Sequence, residues 1–398
     1  MAKIESLSGN SLRLRDLSDA IFRSNPDYKL ILFDHLPQEA KKALADLLKD
    51  PNFYGVLQSP NRDLGIKSVC RETALLFFTF QKAGKLPRYV QIMYGSRFNE
   101  VVAMLVLDRI LEIESNEKFL SGSEAYQVIY EDQPMIKPDG AISRLSIEAL
   151  KYGQSLEFDD CLKISSRLYS YNHLPVTTHW KQLYSSEEAI IQYFGIDFGG
   201  KNRAILDHHW ASINTSSNKK WLSWSFRGAV PIRSSYKLYI SPRCEHLLDV
   251  FSDTLEILTE VRAPSFKIGN DVYGLLRPDK MVAYFTTYDE MSEAALRLAK
   301  RLKGISAHGV PFTATIDPSG LLSWGMDPPR QEHFLPWQGP SWRRWITDRL
   351  AVALILAKKS SHKIEPWQFA LERLALEGVD IKSWVPKPTI WNELERRG

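Results

Sequence analysis

YKLYIS at 236–241, SFK at 265–267 and RPDKMVAYF at 277–285 decide how this chain is read. In YKLYIS the side chains alternate with the period of a strand, so Lys237 and Tyr239, two residues apart, share one face. Ser265–Ile268 and Met281–Phe285 read as two further short strands. Between the first two lies His246–Val261, with helical apolar spacing. Asp289–Leu302 follows the third, with an acidic residue at its start. Pro311–Ile316 and Leu321–Trp324 flank a DPSG turn and read as a hairpin. Strands and helices alternate, so an α/β layer is expected over 231–330. Lys280 and Tyr284 are an even number apart and, on a continuous strand, face the same way.

Outward from this block the chain reads as helical. Pro37–Leu48 has a proline start, Glu72–Gln81 is apolar, and Ser96–Ile113 carries one apolar face through Val101, Met104, Leu105, Leu107 and Ile110. ILEIES, a turn at Asn116–Lys118 and FLSG then suggest a small hairpin. Helices followed by a ribbon resemble a winged-helix module, which either binds a peptide or is purely structural. Ala141–Tyr152 and Asp159–Tyr171 read as helices, followed by polar loops that include NTSSNKK at 214–220. Ser341 is an expected N-cap for Trp342–Lys358, and Pro366–Glu377 ends at Gly378. The expected fold class is α+β, in four parts. These are a helical, winged-helix-like N-terminal domain (1–135), a helical and loop connecting region (136–230), a central mixed α/β domain (231–330), and C-terminal helices packing on it (331–398).

The 398 residues are 44% hydrophobic and 25% charged, a globular balance, and exceed one ordinary core. A net charge of +4 gives no broad basic face for nucleic acid, yet permits a local phosphate site. Cys70, Cys161 and Cys244 are too few and too far apart for a metal knuckle or a disulfide framework, which fits a reducing compartment. The N-terminus lacks a secretory pattern and no stretch reaches membrane-span length, so a cytoplasmic protein without a membrane partner is expected. Dinucleotide, phosphate-loop, nucleophile-elbow and zinc-protease motifs are absent. GIDFGGKN at 195–202 lacks phosphate-loop spacing, and the adjacent His208 and His209 read as ordinary surface or packing histidines.

The order YKLYIS, amphipathic helix, SFK and RPDKMVAYF resembles the phosphoserine/phosphothreonine lyase fold over about residues 235–328. That fold occurs in type III effector phosphothreonine lyases and as the lyase domain of class III and IV lanthipeptide synthetases. The resemblance implies β-elimination: a base removes the Cα proton of a phosphorylated Ser or Thr, and phosphate leaves from Cβ. Lys267 matches the base, and needs a lowered pKa to be neutral. Lys237 matches the family's first lysine. Lys237 or Tyr284 stabilises the charge that develops on the carbonyl. Arg277 and Lys280 match phosphate-binding cations. No metal and no organic cofactor is implied. The implied partners are a phosphorylated precursor peptide and a separate kinase-like protein, since no kinase motif lies in this chain.

One departure stands out. The family histidine that protonates the leaving group falls on Tyr239, so either Tyr239 or a neighbour such as His308 is the acid, or the domain has lost catalysis and scaffolds the peptide and its modifying enzymes. A bacterial effector acting on host phosphoproteins is a third reading. GLLSWGMDPPR at 320–330 reads as a rigid loop, either walling a peptide groove with Trp324 and Arg330 or serving as a packed domain exit. On spacing alone, Lys237, Lys280 and their neighbours also fit as ordinary solvated charges.

Overall fold

A computed structural model describes residues 14–61, 65–131, 138–213, 220–228, 236–327, 341–358 and 364–386. The chain is α+β and divides into two compact units. One comprises 1–136, 331–337 and 352–377; the other comprises 137–330, 338–351 and 378–398.

The first unit holds the expected helices, among them Arg71–Thr79 and Phe98–Leu107, and the expected hairpin. It also holds more strand than helical spacing suggests. Its strands are β1 (Ile21–Ser24), β2 (Lys29–Leu32), β3 (Phe53–Gln58), β4 (Lys67–Cys70), β5 (Gly84–Lys85), β6 (Leu111–Ser115) and β7 (Lys118–Leu120). They form two antiparallel sheets, ordered β5-β1-β6-β7 and β2-β3-β4. Inside this unit Arg373 grips Asp108 through Nε and Nη2 at 2.7 and 2.6 Å.

The second unit is built on a seven-stranded sheet. Its strands are β8 (Trp210–Ser212), β9 (Trp221–Phe226), β10 (Tyr236–Ile240), β11 (Ser265–Gly269), β12 (Met281–Phe285), β13 (Ala314–Thr315) and β14 (Leu322–Met326), ordered β13-β14-β10-β12-β11-β9-β8. Every neighbouring pair is antiparallel. Helix Leu247–Glu260 joins β10 to β11, and β12 then inserts between them; helix Tyr288–Arg301 joins β12 towards β14 on the far side of β10. These are two interleaved split β-α-β units. A short pair, β15 (Val379–Asp380) and β16 (Val385–Pro386), completes the unit's strands among the described residues.

Side-chain alternation gives this sheet two unlike faces. Leu222, Trp224, Leu238, Ile240, Phe266, Ile268, Met281, Ala283, Phe285, Leu322 and Trp324 all point to one side. They pack against Val250, Phe251, Leu255 and Leu258 of helix Leu247–Glu260, and against Met291, Ala294, Ala295 and Leu298 of helix Tyr288–Arg301. The second helix starts at a reciprocal cap, in which Thr287 accepts from the Glu290 amide and Glu290 accepts from the Thr287 amide. Trp324 therefore lies in the helix-packed core, its ring tilted against Tyr236 and edge-on to Tyr288. It does not wall the opposite face, because LSWGM continues as strand rather than turning into a loop; Arg330 lies outside the described residues.

The other face carries Lys237 and Tyr239 on β10, Val282 and Tyr284 on β12, Ser265 and Lys267 on β11, Trp221, Ser223 and Ser225 on β9, and Ser323 and Gly325 on β14. Gly325 sits opposite Lys237, and a Cβ there would come within 2.5 Å of the Trp342 ring. That close approach requires glycine.

Candidate functional site

On the polar face the register decides which predicted residues meet. Lys237 pairs with Tyr284 across β10 and β12, and Tyr284 pairs with Ser265 across β12 and β11. Both Lys237 Nζ and Lys267 Nζ lie 5.5 Å from the Tyr284 ring centroid. Lys267 Nζ also lies 4.3 Å from the Trp221 centroid, and the Arg277 guanidinium carbon lies 5.3 Å from that same centroid. Lys237, Tyr284, Lys267, Trp221 and Arg277 thus form one continuous row of alternating cations and rings. Burial is deepest over Tyr239 and Ser323; Lys267, Trp221, Tyr284 and Arg277 are only partly covered, so the row opens at the β11 and β9 end.

Two carboxylates hold the ends of the row. Lys237 Nζ meets Asp327 Oδ1 at 2.7 Å, and the same oxygen accepts from the Trp342 amide at 3.1 Å. Asp327 thereby supplies a cap at the start of helix Trp342–Lys358, where Ser341 was the residue expected to act. At the other end Asp279 accepts from Arg277 Nε and Nη2 at 2.8 and 2.9 Å, and Arg343 Nη1 approaches it at 2.8 Å. Tyr169 donates to Asp279 at 3.2 Å. Burial alone would raise the Asp279 carboxyl, but Arg343 and Arg277 hold it well below the usual carboxylate range. Two guanidiniums share this one buried carboxylate, which leaves a positive surplus beside Trp221.

Lys267 differs from the other cations in its partners. No hydrogen bond or ion pair joins its Nζ to any described residue; only ring faces touch it. Burial, and then the Lys237 charge, pull its pKa down to about 8. A substantial fraction of this amine is neutral near physiological pH, as a general base requires.

Lys280 does not join the row. It is fully buried just ahead of β12, and its ammonium is spent on the Pro242 carbonyl at 3.0 Å and on His308 Nδ1 at 2.7 Å. Lys280 directly precedes β12, and its carbonyl still accepts from the Gly269 amide of β11 at 3.0 Å, so it is the bonds of its ammonium that keep it out of the row. His308 is also occupied. Its Nε2 sits 2.6 Å from the Asn172 carbonyl, which can only accept, so the proton resides on Nε2 and Nδ1 accepts from Lys280. Burial and Lys280 lower its pKa to about 3, so it carries no spare proton at neutral pH. Tyr239 does lie on the polar face, 3% exposed; burial and then Asp327 push its hydroxyl well above the ordinary phenol value.

Trp221, Asp279, Asp327, Arg343 and Tyr169 complete the site without having been marked by sequence. Asp279 was legible in principle, standing two residues from Arg277 in RPDK. Arg343 and Tyr169 come from distant helices and reach the site only through tertiary packing. A cavity of about 300 Å³ lined by Ile191, Leu206, Trp210, Leu222 and Trp224 lies elsewhere, beside β8 and β9 on the helix-packed side; it shares none of the row's cations.

No family model matches the chain, and no curated protein matches it by sequence. Among solved structures it is similar to the effector protein from Pseudomonas syringae pv. syringae strain 61, with TM-score 0.40 and 11% identity over 63% of this chain and 99% of that one. A second similar structure is the effector protein from Pseudomonas syringae pv. tomato strain DC3000, with TM-score 0.36 and 12% identity over 62% and 97% of the two chains. A third is the Chromobacterium violaceum VirA (SpvC) phosphothreonine lyase effector protein, with TM-score 0.24 and 10% identity over 30% and 65%.

Proposed function

We propose that this protein is a phosphoserine/phosphothreonine lyase that eliminates phosphate from a phosphorylated precursor peptide, giving dehydroamino acids in lanthipeptide-like biosynthesis. The observation that carries this reading is Lys267: an amine depressed to about 8, unpaired among the described residues, and one ring away from the Arg277 guanidinium. Neutral Lys267 takes the Cα proton. The Cα–H electrons form the Cα=Cβ bond, and the Cβ–O electrons leave with the phosphate. Arg277 holds the phosphate oxygens while Asp279 fixes the orientation of its guanidinium. Lys237, steadied by Asp327, stabilises the charge that develops on the carbonyl oxygen, and Tyr284 packs between the two lysines. Lys280 has a structural role. We assign leader-peptide or kinase binding to the first 135 residues, with the phosphate installed by a separate kinase-like protein.

A second reading has one observation in its favour. Tyr239, standing where the family has its acid, holds its proton far too tightly to donate it efficiently at neutral pH. A chain that binds the phosphopeptide without eliminating phosphate would be a scaffold for the modifying enzymes. Incubation with a phosphothreonine peptide separates the two. Loss of the elements of phosphoric acid, absent in Lys267→Ala, supports the lyase; binding with unchanged mass supports the scaffold.

A further inference from the structure

We propose that His173 is the catalytic acid that protonates the departing phosphate, an inference that rests on the elimination reading above. His173 is exposed, and its ring makes no hydrogen bond to any described residue. The segment that carries it is fastened on both sides. The Tyr169 carbonyl accepts from Arg343 at 2.8 Å, and the Tyr169 hydroxyl reaches Asp279. Asn172 donates to the His308 and Gly309 carbonyls at 3.0 and 3.1 Å, while its own carbonyl accepts from His308. The Leu174 amide donates to the Leu276 carbonyl at 3.1 Å, one residue from Arg277. His173 is therefore held between two anchored neighbours, on a segment whose backbone bonds to the residue preceding Arg277.

Asn172 is held at φ +67°, a left-handed conformation that asparagine adopts more readily than most non-glycine residues. Its three contacts fix that conformation and with it the backbone on which His173 stands. The charges acting on the ring are Arg277, Asp279, Arg343 and Lys280. Although much of the residue is exposed, the packing that covers the rest of it, and then Arg277, lower the imidazole pKa to about 4. A phosphate dianion bound to Arg277 adds the opposite charge beside the ring and favours the imidazolium. The substrate thus loads the acid that it uses. As Cβ–O breaks, the imidazolium proton passes to the bridging oxygen, leaving hydrogen phosphate, neutral imidazole and Lys267 as the ammonium. Solvent exchange resets both groups.

The test uses the full chain and a phosphothreonine peptide. His173→Asn is expected to bind the peptide within about threefold of wild type and to eliminate phosphate on the order of 100-fold more slowly. The alkaline limb of the wild-type kcat profile, where the imidazolium loses its proton, should disappear in the variant. His173→Ala should recover rate with added imidazole, which a purely structural role would not allow, and both variants should melt with wild type. Wild-type turnover in His173→Asn, or lost peptide binding in it, overturns the assignment and leaves the lyase reading intact. A wild-type chain that binds the peptide and eliminates nothing overturns both.

Discussion

Lys237→Met gives a worked test of the polar row. Both ammonium nitrogens lie 5.5 Å from one ring centroid, so they are at most about 11 Å apart. At an effective dielectric of about 20, like charges at that separation repel by roughly 1.5 kcal/mol, about one pKa unit. The substitution removes this repulsion and frees Asp327 from its partner, and both changes favour the charged form of Lys267. Its pKa should rise by about one unit from the present value of about 8. The neutral fraction below the midpoint then falls roughly tenfold. Competitive acylation across pH, with Lys267 labelling read by peptide mass, reports this amine without requiring turnover. Asp327→Asn should move the midpoint the other way. An unmoved midpoint in Lys237→Met, or two variants shifting in the same direction, would refute the electrostatic account.

Three further outcomes follow from the same geometry. Arg277→Ala should weaken phosphopeptide binding about 10- to 100-fold, the worth of one or two charge-assisted hydrogen bonds, as read by calorimetry. Lys280→Met should leave that affinity within about threefold while lowering stability by about 1–3 kcal/mol, because the His308 and Pro242 acceptors lose their donor. Asp279→Asn should cost about 3–5 kcal/mol in denaturant unfolding, since Arg343, 1% exposed, loses its buried counter-charge. The Asp279 pKa is depressed in the fold, so its stabilisation is present above the unfolded carboxylate value near 4 and is lost as pH falls below it.

The parts of this architecture that sequence made legible are those where one period dominates. YKLYIS became β10, the helices at 247–260 and 288–301 fall within a residue of their expected bounds, and Trp342–Lys358 matches its expected range. WLSWSF at 221–226 alternates just as strictly, but its polar positions are tryptophan and serine, which also suit a loop beside NTSSNKK. The β1–β5 strands are two to six residues long and too short to establish a period. At the site, parity put Lys237 and Tyr239 on one face of β10, but the register that brings Tyr284 and Lys267 to that same face is set by strand pairing, which the sequence does not show. Parity said nothing of the Pro242 carbonyl and His308, which engage the Lys280 ammonium and keep it out of the row. His173 and Arg343 have no local pattern at all, since only tertiary packing carries them to Arg277.

The most direct measurement follows a peptide whose phosphothreonine bears deuterium at Cα. With the wild-type chain, the product mass should show loss of phosphoric acid together with that deuterium, and Lys267→Ala should return the peptide unchanged. A product that keeps its Cα deuterium and gains a free hydroxyl would identify hydrolysis instead, and a fully intact peptide would remove lysine-driven elimination from the account.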